Sequence, residues 1–171
     1  MAHRKIIEEG DSVLHKHCRP VTNFDSRLHE LIDDMRETLL EADGAGLAAP
    51  QVGVLRRVVL VLETNVPEGE EPYIIELVNP EIVSTEGEQN GPEGCLSLPG
   101  RFGLVKRPMD VTVRAQDRNG NRFEISGHEL TARAFCHELD HLEGKLFTQC
   151  ATRMLTPNEV ENGSWNDGLE V

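Results

Sequence analysis

Hydrophobic positions recur along the chain with two different periods. In "DSRLHELIDDMRETLLEAD", Leu28, Leu31, Ile32, Met35, Leu39 and Ala42 recur at about one helical turn. That spacing predicts an amphipathic N-terminal helix with one buried stripe. Asp25 is placed to cap its start and Gly44 to end it. "RVVLVL" and "YIIELVNPEIV" are rich in β-branched residues and predict strands. The polar, proline-containing "ETNVPEGEEP" between them reads as a surface loop. "VTVRAQD", "RNGN" and "RFEIS" predict a hairpin turning at Asn119-Gly120.

A second helix is predicted within "SGHELTARAFCHELDHLEG". Ser126, followed three residues later by Glu129, carries a capping-box signature. No proline or glycine interrupts from His128 to Glu143, and Gly144 supplies a stop. The order of helix, strands, hairpin and helix implies an α+β domain built on antiparallel sheets. Residues 1–150 are expected to form this single domain. Residues 151–171 are polar and acidic with several breakers, and are expected to be a mobile tail.

Composition narrows the class. A chain of 171 residues with 38% hydrophobic positions can bury one core. The net charge of −13 argues against duplex DNA binding, because phosphate neutralisation needs clustered Lys and Arg. No apolar run reaches membrane-span length, and "MAHRKIIEEGDSVLHKH" lacks the apolar core of a signal peptide. A cytoplasmic protein is expected, with Cys18, Cys95, Cys136 and Cys150 as thiols spaced too widely for a CxxC zinc module.

Three stretches carry candidate chemistry. In "FCHELDHLEG", His137 and His141 stand about one helical turn apart and can reach one ion, with Glu138 as the base for its water. An exposed acidic helix with two solvated histidines carries the same short pattern. His137 continues an apolar face through Ala134 and Leu130, and buried histidines need partners. The metzincin extension HExxHxxGxxH stops at Phe147, which cannot ligate, so a third ligand must come from elsewhere.

"GPEGCLSLPG" offers Cys95 on a segment loosened by Gly91, Pro92 and Gly94; the alternative is an inert buried thiol. Cys136 is the rival ligand, but a helical neighbour of His137 points about 100° away. "GAGLAAPQ" formally fits the dinucleotide fingerprint, yet a helix precedes it and Pro50 stands where a helix would have to begin. It reads instead as a glycine-flexed strand or loop near a ligand, with Gln51 as an amide donor.

Taken together, "GAGLAAPQ", "EGCLS" and "HELDH" resemble the three ordered motifs of the peptide deformylase family. The likeness extends to "GDSVLHKHCRPV" and "VTVRAQDRNGN", and so through nearly the whole chain to about Phe147. The resemblance implies antiparallel sheets around a central metal-binding HExxH helix. It implies an enzyme that removes the formyl group from N-formylmethionine at the start of nascent chains. It implies Cys95, His137 and His141 as metal ligands, with Fe(II) the usual ion and zinc, nickel or cobalt able to replace it. Glu138 is then the general base, and the Gln51 side-chain amide and Leu96 backbone N–H stabilise the oxyanion.

A methionine pocket is expected at Ala134 and Leu130, one and two turns before His137. Backbone near Gly46 and Gly94 is expected to pair with an extended peptide. Glu93 and Arg107 form either a buried pair behind Cys95 or two separate surface charges. Cys136 stands where the family most often has glutamine. Arg153 is the one basic residue after Ala151, so ribosome contact through a basic tail is not expected. A zinc endopeptidase and a closed structural metal site remain the competing readings.

Overall fold

Val58–Glu63 (β2) shows how the main sheet is built. Its side chains alternate between two buried faces. Val58 and Leu60 pack with Leu28, Leu31, Ile32, Met35 and Leu39 of the helix Ser26–Ala42 (α1). Val59 and Val61 pack with Ala132, Phe135, Cys136 and Leu139 of the helix Leu130–Leu142 (α2). A strand covered on both faces must be apolar throughout, which is why "RVVLVL" is a continuous run.

The computed structural model describes residues 2–165. With Gly46–Ala48 (β1), Tyr73–Glu86 (β3), Asp110–Gln116 (β6) and Arg122–His128 (β7), β2 forms an antiparallel sheet in the order β1-β2-β3-β6-β7. A second sheet holds Gln89–Cys95 (β4), Leu98–Arg107 (β5) and Arg153–Leu155 (β8), in the order β4-β5-β8. A short helix, Pro157–Asn162 (α3), follows. The expected mixture of helices and antiparallel sheet is therefore present. No helix among the described residues is long and apolar enough to cross a membrane.

Several local expectations need correction. The Ser126–Glu129 capping box does not form. Ser126 lies inside β7, where its hydroxyl bonds that of Thr112 at 2.7 Å. Glu129 precedes the helix at φ 56° with no side-chain cap, its N–H held by Met109 O at 2.7 Å. Asp25 does cap α1, accepting from Leu28 N at 3.1 Å, but the left-handed residue at the other end is Asp43, not Gly44. Gly44 is required for space, since a Cβ there would stand 2.8 Å from Leu96 Cδ1.

The segment read as loosened around Cys95 is a β4–β5 hairpin, with Cys95 opposite Leu98. Its glycines and proline hid the strand, and Pro92 is tolerated because β4 is an edge strand. The tail is also partly ordered. β8 pairs with β5, Phe102 opposite Leu155, and Thr156 caps α3 from Glu159 N at 3.1 Å. Residues 166–171 lie outside the described residues.

The N-terminal segment is clasped to α1 by a buried carboxylate. Asp34 accepts from Ala2 N and from Arg4 Nε, each at 3.0 Å. The Ala2 N–H, aided by Arg4, holds its carboxyl below the ordinary value near 3.8. A depressed folded value stabilises above the unfolded value and is lost as pH falls through the folded one. Asp34→Asn is therefore expected to flatten the acid limb of stability. Urea midpoints measured from about pH 5 to about pH 3 should fall less steeply than in the unaltered protein.

Candidate metal centre

Three elements converge on the site. β4 ends on Cys95, α2 supplies His137, Glu138 and His141, and a 3-10 turn after β1 supplies Gln51. The ligating atoms of Cys95, His137 and His141 all lie within 4.8 Å of one another. Cys95 Sγ is 3.4 Å from His141 Nε2. The two imidazoles meet edge to face with centroids 5.1 Å apart. Both rings are buried, so the alternative of two solvated histidines is not what the chain forms.

His137 is oriented from behind, whereas His141 Nδ1 has no hydrogen-bond partner among the described residues. His137 Nδ1 bonds Glu93 Oε1 at 2.9 Å, which leaves Nε2 as its outward donor. Glu93 is itself fixed by Arg107 through two bonds, Nε to Oε2 at 2.7 Å and Nη2 to Oε1 at 2.9 Å. Arg133 Nη1 adds a third at 2.7 Å. Glu93 and Arg107 are thus a buried pair rather than separate surface charges. Although burial works against its charge, the cationic partners hold the Glu93 carboxyl at about 2. Arg107 also reaches Asp140 at 2.8 Å, which ties β5 to the solvent side of α2. Phe147, where a metzincin would carry histidine, stacks on His137 at 6.0 Å.

The two imidazoles are shifted in opposite directions. Burial, reinforced by the charges of His137 and Arg107, pushes the His141 imidazole well below its ordinary range, so it is neutral and free to donate a lone pair. Burial also opposes charge on His137, but Cys95, Glu138 and Glu93 outweigh it and raise that imidazole. One thiol and two imidazoles suit a first-row divalent ion.

Glu138 is buried, and desolvation raises its carboxyl to about 7. Its Oε1 has no hydrogen-bond partner among the described residues. Gln51 Oε1 is anchored by Ala48 N at 2.9 Å. Its Nε2 faces Ser97 Oγ at 3.0 Å and Cys95 Sγ at 3.5 Å.

These groups open onto a cavity of about 510 Å³. Gly46, Gly94, Leu96 and Ala134 line it, together with Gln51 and Glu138. Leu130 does not. It is the first residue of α2 and is 53% exposed, so its proposed place in the pocket wall is withdrawn. Cys136 points into the α2 core, and burial pushes its thiol up to about 11.

Arg133, Arg101 and Phe102 also line the cavity and were not anticipated. Arg133 gave a signal, as a charge four residues before His137 on an otherwise apolar face.

Gly46 permits the closest approach in the site. A Cβ there would stand 2.6 Å from Glu138 Oε2. Gly46→Ala is expected to preserve the fold by circular dichroism while lowering kcat/KM by about 10²-fold, because a displaced carboxylate loses its alignment. Activity within a factor of two of the unaltered protein would remove that role from Gly46.

The comparisons with known proteins agree in kind. A family model described as polypeptide deformylase matches residues 3–156. A peptide deformylase of Caldanaerobacter subterraneus subsp. tengcongensis is 54% identical over 161 residues, 94% of this chain and 97% of the relative. The crystal structure of a peptide deformylase from Legionella pneumophila superposes with a TM-score of 0.80 at 43% identity, covering 99% of this chain and 96% of that one. An Acinetobacter baumannii peptide deformylase, solved with Met-Ala-Ser bound, gives a TM-score of 0.81 at 33% identity, covering 87% and 98%.

Proposed function

The chain belongs to the peptide deformylase family, and from that premise we propose that Cys95, His137 and His141 hold the family's metal ion and Glu138 moves the proton. The protein is a metal-dependent enzyme that removes the formyl group from the N-terminal methionine of new polypeptides. The observation that carries the assignment is the meeting of one sulfur and two nitrogen donors within 4.8 Å, beside a buried carboxylate. When bound, the ion lowers the pKa of a water and polarises the formyl carbonyl.

The chain's own groups do the rest. Glu138 takes the proton of the attacking water and returns it to the leaving amine. A carboxyl at about 7 suits both directions of that transfer. The Gln51 amide and the Leu96 N–H donate to the developing oxyanion. Gly46 and Gly94 border the peptide, and Ala134 borders its methionine side chain. The Acinetobacter baumannii relative was solved with Met-Ala-Ser bound, which supports a short peptide as the ligand.

Fe(II) is the ion we assign, with zinc, nickel and cobalt as substitutes for the same donor set. The catalytic domain takes in residues 1–150 and also β8, which adds to the second sheet beyond them. Ribosome contact, where it occurs, does not use a basic tail, and the protein works in the cytoplasm without binding DNA.

The deciding experiment measures formate release from a formyl-Met-Ala peptide, with anaerobic metal analysis of the same sample. Formate release with one divalent ion per chain is expected. Cleavage of an internal peptide bond without formate would favour the zinc endopeptidase reading. Four protein donors in the metal spectrum would favour a closed structural site.

A further inference from the structure

A donor to an oxyanion works best when its direction is fixed before the charge develops. The side-chain amide of glutamine does not fix itself, because its terminal torsion has a broad energy well. In this protein the amide of Gln51 is held at both ends. The Ala48 N–H donates to Oε1 at 2.9 Å, which settles which end of the amide is oxygen. Nε2 donates to Ser97 Oγ at 3.0 Å and faces Cys95 Sγ at 3.5 Å. Ser97 is fully buried and Gln51 nearly so, which shields their bond from bulk water. One segment clasps the backbones of both residues. The Ile7 N–H donates to Gln51 O at 2.7 Å, and the Glu9 N–H donates to Ser97 O at 2.8 Å. Gln51 lines the cavity, whereas Ser97 stands behind it and does not.

We infer that Ser97 is a positioning residue for deformylation: its hydroxyl takes one of the two amide hydrogens of Gln51 and so aims the other at the reacting formyl oxygen. The inference rests on reading Gln51 as an oxyanion donor. An amide nitrogen carries two hydrogens and accepts none, so the bond to Ser97 Oγ leaves one hydrogen to give. That hydrogen is on the side of Cys95 Sγ, where the candidate metal donors meet. Without the hydroxyl, the Nε2 end loses its oxygen partner. The amide can then turn about its last torsion into orientations in which neither hydrogen meets the oxyanion. Ser97 touches no substrate in this reading and acts only through Gln51.

The test is a double-mutant cycle of Ser97→Ala and Gln51→Ala, read by formate release from formyl-Met-Ala-Ser, with bound metal measured on each protein. Gln51→Ala should lower kcat by about 10²-fold or more, the worth of one oxyanion donor. Ser97→Ala should lower kcat by about tenfold, the upper worth of one neutral hydrogen bond, with KM and bound metal unchanged. In the Gln51→Ala background the serine should no longer matter, and the double variant should match Gln51→Ala within about twofold. A tenfold loss that persists in that background, or loss of metal in Ser97→Ala, overturns the inference, because the serine then serves the hairpin and not the amide. Full activity in Ser97→Ala beside an impaired Gln51→Ala overturns this inference alone. Full activity in Gln51→Ala overturns the oxyanion reading with it. Should Ser97→Ala fail to fold, NMR of the unaltered, zinc-loaded protein decides. At saturating formate, the Gln51 amide hydrogen that faces away from Ser97 should shift. A shift of the other hydrogen, or of neither, overturns the inference.

Discussion

Replacing Glu138 with glutamine is expected to lower kcat for formate release by about 10³-fold while leaving bound metal at its unaltered level. Glutamine keeps the size and hydrogen-bonding capacity of the side chain but cannot accept and return a proton. The position is prepared for that task. Glu138 is buried, its carboxyl is raised to about 7 by desolvation, and its Oε1 has no partner among the described residues. Gly46 keeps backbone close against Oε2 without a Cβ between them. The substitution also separates two roles for Glu138, metal ligation and proton transfer. Loss of metal together with activity would make Glu138 a ligand, and retention of most activity would remove it as the base. Loss of activity with metal retained leaves proton transfer as its work.

The position of α2 explains why that carboxylate is desolvated. The helix lies over the main sheet, with Phe135 and Leu139 among the strand residues Val59, Val61, Leu77 and Val113. Its other side faces the hairpin that carries Cys95. Glu138 stands where the cavity meets the helix, so the same packing that stabilises α2 keeps bulk water from the base. Fold stability and the elevated carboxyl therefore have one physical source.

Periodicity made the helices and the long strands legible, because each of these buries a regular set of side chains. The stripe in α1 and the run "RVVLVL" are direct images of their packing. The β4–β5 hairpin was hidden because its glycines serve close contacts instead of turns. Gly94 lies under the Phe102 ring, where a Cβ would stand 2.8 Å from Cε1. The start of α2 was misplaced because Ser126 and Glu129 match a local motif while tertiary pairing draws Ser126 into β7. The histidines and Glu138 were visible as a helical pattern. The support behind them was less so, since Glu93, Arg107 and Arg133 come from three elements and meet only in the fold. Leu130 failed for a simpler reason. Helical spacing gives a face but not where the covering hairpin ends, and the first residue of α2 lies beyond it.

Cys95→Ala is expected to abolish stable metal binding and, with it, formate release. Removing a residue that merely orients a ligand costs about 10–100-fold in metal affinity, and removing a ligand should exceed that. The thiol has no substitute nearby. Cys136 is turned into the core and its thiol is pushed up to about 11, while Cys18 is buried at the far end of α2, against Leu142. His141 would lose the sulfur 3.4 Å from its Nε2, leaving two imidazoles to hold an ion unaided. Cys136→Ala is the matched control and should retain both metal and activity, with a modest loss of core packing. Anaerobic metal analysis beside formate release reads both variants. Full activity in Cys95→Ala would sink the ligand assignment, and loss of metal in Cys136→Ala would transfer it to the helix. The contrast rests on direction, since two cysteines of the same chain differ in whether the fold aims the sulfur at the histidines or away from them.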